Sequence, residues 1–113
     1  MQLITIVAAV SISEILSELY CLNVSIKWLN DILIHGKKLS GILCEGVLSQ
    51  SNRYEFIVLG IGINLSTPET IPNEISDIFI ALDEWVDTFD KTDFLINFIN
   101  RFEFYMNDLK LHE

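Results

Sequence analysis

Hydrophobic and polar positions along this chain change period several times, and each change predicts an element. From Leu3 to about Leu19, Ala8, Ile12, Ile15, Leu16 and Leu19 recur at helical spacing, and the early part is apolar all round. A helix of that kind is expected to lie against a sheet with little of it exposed. From Asn23 the period shortens. Val24, Ile26 and Trp28 alternate with Ser25 and Lys27, the pattern of a strand with one buried face. Asn30-Asp31 ends that strand, Ile32-Leu33-Ile34 is a short β-branched run, and His35-Gly36 signals a turn.

A long strand is predicted from about Lys38 to Leu48, a polar turn at Ser49-Gln50-Ser51-Asn52, and a returning strand from Tyr54 to Ile63. Loops this short imply antiparallel neighbours. Leu65 to Ile75 carries both prolines, Pro68 and Pro72, and reads as a surface loop. Ser76 is a candidate cap for a short helix running toward Phe89. A final helix is predicted from about Thr92 to Leu109, with an apolar stripe of Phe94, Leu95, Phe98, Ile99, Phe102, Tyr105, Met106 and Leu109 that reads as core. Helix, strands, then helices is the order of an α+β fold.

The chain has 113 residues, enough for one small domain that buries roughly two-thirds of its unfolded surface. Half of the residues are hydrophobic and the mean hydropathy is +0.40, so the core is well filled or part of the surface is meant to be covered by another chain. The formal charge of −9 is uneven: five acidic and four basic residues up to Asn64, then eleven acidic and three basic. The acidic half reads as a solvated helical surface and argues against nucleic acid, whose affinity rests on phosphate neutralisation.

Two cysteines, Cys21 and Cys44, make no disulfide framework or CxxC motif and read as reduced, buried thiols. The sequons at Asn23 and Asn64 read as chance matches. The apolar start lacks a basic n-region and reads as a helix continuing past Glu14 rather than a signal peptide. The run is shorter than the roughly 20 residues a membrane span requires.

Candidate chemistry gathers between Ser25 and Asn64. Lys38 follows a turn and precedes Leu39-Ser40-Gly41, where a glycine can admit a ligand to the backbone. A lysine there is either a fixed charge for a phosphate or carboxylate oxygen or a solvated turn residue such as Lys37. Asp31 and Asn30 could face it across the hairpin, to hold a cation or orient an amine, or could be simple turn residues. Gly60 and Gly62 share one strand face, which suggests close approach of a ligand or a sheet bend. Glu45 is an exposed-face residue or a partner for Arg53. His35 and His112 have no metal-ligand partners at recognisable spacing. Gly60-Ile61-Gly62 lacks the third glycine and the helix of a dinucleotide fingerprint.

Three runs, Lys27-Trp28-Leu29-Asn30-Asp31, Lys38-Leu39-Ser40-Gly41-Ile42-Leu43-Cys44-Glu45 and Gly60-Ile61-Gly62-Ile63-Asn64, resemble the catalytic domain of biotin–protein ligases. That family's pattern reads KWPND, then K-L-[AS]-G-I-L-x-E, then G-I-G-[IV]-N. The resemblance covers nearly the whole chain. It implies a class II aminoacyl-tRNA synthetase and biotin synthetase-like fold with a mixed, mostly antiparallel sheet. It also implies activation of biotin by ATP to biotinyl-5′-AMP, followed by transfer to a lysine of a biotin carrier domain.

Carried over by motif, Lys38 and Asp31 are the catalytic pair. Lys38, Gly41, Ile42, Gly60 and Gly62 are assigned to biotin, and Asn30, Lys38 and Asn64 to ATP, with Asn64 on adenine. Mg2+ is implied as the nucleotide's metal, and Asp31 is its candidate contact. Cytoplasmic location, no nucleic-acid or membrane partner, and possible homodimerisation complete the expectation.

There are departures from the pattern. Leu29 stands where the family has proline. The glycine- and arginine-rich GRGRxGR loop and the C-terminal β-barrel are absent, so residues 1–110 are expected to be an N-terminally truncated catalytic domain, with adenylation incomplete in this fragment. The alternatives are a non-catalytic remnant that needs a complementary chain or a dimer partner, and a lipoate-type ligase.

Overall fold

A computed structural model describes residues 2–28 and 30–111. Leu29, at the family's proline position, and His112 lie outside the described residues. The element order is α1 (Gln2–Tyr20), β1 (Ser25–Lys27), β2 (Asp31–Ile34), β3 (Lys37–Leu48), β4 (Tyr54–Ile63), the 3-10 turn Leu82–Glu84 and α2 (Lys91–Leu111). The strands form a four-stranded sheet in the order β1-β2-β3-β4, with every neighbouring pair antiparallel. One isolated parallel bridge, Lys38 with Phe79, makes the pairing mixed. The α+β class and the two long helices follow the hydrophobic periods.

The first hairpin closes through His35-Gly36, with Ile34 paired to Lys37 and positive φ at both turn residues, 50° and 76°. That is the two-residue turn whose twist suits a hairpin, and glycine takes its second position without steric cost. His35 stacks on Trp85, with ring centroids 4.7 Å apart.

The core lies between α1 and one face of the sheet. Ile12 and Leu16 of α1 meet Ile32, Ile34, Leu39 and Ile42 of the strands, and Phe94 and Phe98 of α2 close the same cluster. Asp90 caps α2 by accepting a hydrogen bond from the Asp93 N–H at 3.0 Å, so the helix begins at Lys91. The two helices are also joined by charge. Arg101 donates two hydrogen bonds to Glu18, at 2.9 and 2.6 Å, and Tyr105 donates to Glu14.

Several expectations fail for lack of a covering layer. β1 is exposed throughout, and Trp28 is 73 % exposed, because β1 is an edge strand with none of the described residues packed beyond it. Asn30 and Asp31 do not end β1; Asn30 sits in the turn and Asp31 opens β2 opposite Lys27. Leu3 and Leu19 of α1 point away from the sheet and are exposed, as are Leu95 and Ile99 of the α2 stripe. By length and composition α1 is apolar enough to cross a bilayer, contrary to the estimate from its apolar run. Its buried residues, Thr5 through Leu16, are accounted for by packing on the sheet.

No helix runs from Ser76 toward Phe89. That segment forms turns and the 3-10 element, and the Ser76 hydroxyl donates back to the Asn73 carbonyl at 3.1 Å. The cysteines are free but not buried. Cys21, which follows the end of α1 with φ 56°, is exposed, and Cys44 is half-buried. Glu45 stands opposite Val58, and no ion pair joins it to Arg53 among the described residues.

Candidate active site

The sheet has one face covered by α1 and one open, and strand register decides what each presents. Asp31 pairs with Gly41, Gly41 with Gly62, and Leu43 with Gly60. Directly paired residues of an antiparallel ladder point the same way. These five therefore share a face, opposite to the buried Ile32, Ser40 and Ile42.

Strict alternation would send Lys38 to the covered side, with Ser40 and Ile42. A β-bulge prevents this. Ile32 pairs with Ser40 but Leu33 pairs with Lys38, so Leu39 is the extra residue. Such an insertion reverses the side on which the preceding residues project. Leu39 and Ser40 are consequently both buried, while Lys38 emerges on the open face. Its Nζ lies 3.4 Å from Asp31 Oδ1, with the lysine side chain 51 % and the aspartate 26 % exposed. At that distance the contact is electrostatic, and the ammonium keeps donors free to turn toward an anion.

Lys38 stays paired with Leu33 on one side, but β4 ends opposite Ser40, so on its other side a strap formed by residues 78–80 takes up its backbone through the Lys38–Phe79 bridge. The Lys38 N–H donates to the Ile78 carbonyl at 2.6 Å, and the Ile80 N–H donates to the Lys38 carbonyl at 3.4 Å. The strap continues to Asp83, whose carboxylate accepts the Thr67 N–H at 2.7 Å and the Thr67 hydroxyl at 2.6 Å. Those hydrogen bonds from Thr67, its hydroxyl foremost, hold the Asp83 carboxyl below its ordinary range.

Together these residues line an open cleft of about 460 Å³, bounded by Asn30, Asp31, Lys38, Gly41, Ile42, Leu43, Gly60 and Gly62. All of the expected site residues except Asn64 border it. The Ile42 side chain itself belongs to the core, at 3 % exposure. Asn64 sits at the end of β4, where its amide donates to the Lys38 carbonyl at 3.2 Å and the Ile80 carbonyl at 3.0 Å. Leu43 is a lining residue that the motif reading missed; its alternation with Gly41 could have placed it on the same face.

A Cβ on Gly41 would stand 3.1 Å from Lys38 Cε, whereas one on Gly62 would meet nothing within 4 Å. The glycines therefore leave a flat floor beside an ammonium–carboxylate pair, which suits a flat or extended ligand carrying an anionic group. Among the described residues no group of three or more His, Cys, Asp or Glu could hold a metal by itself. Asp31 is a single carboxylate beside the cleft. Mg2+ is commonly held by one or two carboxylates together with substrate phosphates, and that donor set fits.

An open antiparallel sheet backed by helices, with a lysine and three glycines bordering a cleft on its free face, defines an α+β domain. Residues 2–64 match the family described as the biotin/lipoate A/B protein ligase family, and the chain belongs to it. The bifunctional ligase/repressor BirA of Bacillus subtilis (strain 168) is 39 % identical over 82 residues, which are 72 % of this chain and 25 % of that protein.

Among solved structures, the apo biotin protein ligase of Aquifex aeolicus superposes with a TM-score of 0.79 at 32 % identity, covering 97 % of this chain and 47 % of that one. The complex of the same enzyme with biotin and ATP gives 0.72 at 34 % identity, covering 91 % and 42 %. The fold is thus of the class II synthetase-like type shared with these ligases. The chain spans about a quarter of the BirA relative and just under half of the solved ligases.

Proposed function

We propose that the cleft binds biotin and ATP and that the whole protein ligates biotin to a lysine of a biotin carrier domain. The observation that supports this most directly is the placement of Lys38 and Asp31 on one face with Gly41, Gly60 and Gly62. In the reaction proposed, a biotin carboxylate oxygen attacks the α-phosphorus of ATP. The bond to the bridging oxygen breaks, and pyrophosphate leaves. The acceptor amine then attacks the acyl carbon, giving up a proton, and AMP leaves.

Lys38 faces the oxygens on which negative charge gathers in both steps, where a fixed ammonium lowers the barrier. Asp31 keeps that ammonium oriented and offers a carboxylate to the acceptor amine or to Mg2+. Bound Mg2+ would supply charge neutralisation on the phosphates. Gly41, Gly60 and Gly62 leave room for biotin. Asn30 borders the same cleft and is proposed for the nucleotide. Residues 1–110 form the C-terminal part of the catalytic domain in this reading, working in the cytoplasm without nucleic acid or membrane as partner.

A specific observation favours a second reading, in which these residues act only with a complementary chain or a second copy. Leu43, Val47, Phe56 and Val58 of the open face are all at least 40 % exposed. One assay separates the readings: the chain is incubated with labelled biotin, ATP and a carrier domain. Labelled carrier supports ligation by this chain. No adenylate and no labelled carrier would rule out independent biotin ligation by this chain. Competition by lipoate in place of biotin would move the substrate to the lipoate side of the family.

A further inference from the structure

The device that turns Lys38 onto the open face is not self-supporting. β4 ends opposite Ser40, so beyond it the backbone around the extra residue Leu39 is held by groups from other segments, and backbone donors and acceptors need such partners. Here three segments meet at one residue. The Asn64 side-chain amide donates to the carbonyls of Lys38 and Ile80, its N–H donates to the Leu39 carbonyl at 2.9 Å, and its own carbonyl accepts the Leu82 N–H at 2.9 Å. The carbonyls of Lys38 and of the extra residue Leu39 are thus both held by Asn64. The same side chain fixes the strap that receives the Lys38 N–H.

We propose that Asn64 is a positioning residue for Lys38: it locks the Leu39 bulge against the 78–82 strap and so fixes the side of the sheet from which the ammonium projects. This rests on Lys38 being the residue that grips the anionic ligand, and it gives Asn64 a task that exists before any nucleotide binds. The amide nitrogen is committed to the two carbonyls. A contact with adenine would therefore have to use the side-chain oxygen, so the two roles are compatible but separable.

The separation requires a variant without the donor. Asn64→Asp keeps the shape but presents an oxygen to two carbonyls, removing both hydrogen bonds and adding repulsion. Asn64→Ser removes the reach without adding charge. Neither touches the two bonds made by the Asn64 backbone. The readout is taken on the ligand-free chain, by amide hydrogen exchange and by the NMR signals of Lys38, its Nζ included.

With either variant, exchange at the Lys38 and Ile80 amides is expected to accelerate at least tenfold. The Lys38 signals should shift, while the α2 amides keep their protection. Unchanged exchange and unchanged Lys38 signals in a folded Asn64→Ser chain would overturn the proposal. If Asn64→Asp does not fold, Asn64→Ser decides alone. A second arm measures binding of a biotinyl-adenylate analogue. If Asn64 acts through Lys38, Lys38→Ala combined with Asn64→Ser binds no more weakly than Lys38→Ala alone. Additive losses would show that Asn64 acts on the ligand directly. Failure of the analogue to bind any form would count against the biotin and ATP reading and leave the exchange result standing.

Discussion

Lys38 Nζ lies 3.4 Å from Asp31 Oδ1 because an extra residue in β3, Leu39, rotates the lysine onto the face where Asp31 begins β2. The pair bridges two strands at the point where the sheet floor is glycine. It is exposed enough that it contributes little to stability, within about 1 kcal/mol for surface ion pairs. Lys38→Ala is accordingly expected to leave the melting temperature nearly unchanged. Its affinity for a biotinyl-adenylate analogue, followed by calorimetry, should fall roughly tenfold to a hundredfold, the range for one charge-assisted hydrogen bond. Unchanged affinity would remove Lys38 from the site.

The glycines of the floor give a paired prediction. Gly41→Ala puts a methyl group 3.1 Å from Lys38 Cε, a flexible side-chain end that can move aside. The chain should fold, but with the ammonium displaced and analogue binding weakened. Gly62→Ala meets nothing within 4 Å in the free protein, so its fold and stability should match the parent. Any loss of binding by Gly62→Ala then reports a ligand lying on the sheet. Binding equal to the parent's for both variants would place the ligand elsewhere.

Charge joins α1 to α2 with a defined pH signature. The hydrogen bonds from Arg101 lower the Glu18 carboxyl from its ordinary value, and the hydrogen bond to Glu14 raises the Tyr105 phenol, with burial adding to it. A depressed carboxyl contributes stability above its unfolded pKa and loses it as pH falls through the folded one. A raised phenol contributes below its unfolded pKa and loses it as pH rises through the folded one. Stability from this cluster is therefore present at neutral pH and declines toward both acid and strong alkali. Arg101→Ala should lower the neutral melting temperature only slightly, as for exposed ion pairs, and flatten the acid side of its pH profile. Tyr105→Phe should flatten the alkaline side. A profile unaltered by either substitution would show that the helices are held by apolar packing alone.

Ile12 is fully buried between α1 and the sheet. Ile12→Ala should cost about 2–5 kcal/mol, the usual range for such a truncation, read as a lower urea midpoint at unchanged slope. In a small domain that is a large part of the total. A change below about 0.5 kcal/mol would mean that the α1–sheet interface closes over the gap.

Most of the secondary structure was legible because its causes are local. Helical spacing in α1 and α2, the His35-Gly36 turn, and the alternation that carries β3 and β4 all act over a few residues. The chemistry was legible only as residue types in order. Lys38, Asp31 and the glycines stand out by motif, but spacing left Lys38 equally readable as a solvated turn lysine.

Tertiary structure decided the rest, for reasons that lie far apart in the chain. Whether Trp28, Leu95 or Leu43 is buried depends on which layers cover them, and no period encodes that. Where a helix was expected after Ser76, a turn and a bridge stand instead, and Ile78 and Ile80 bind the Lys38 backbone, forty residues or so upstream. The face from which Lys38 projects follows from a register slip of one residue, clasped by Asn64 twenty-six positions later. The sequence by itself determined the two long helices, the two long strands and the reactive groups. The side of the sheet on which those groups meet was set by the bulge, because side chains alternate with a period of two and one extra residue reverses them.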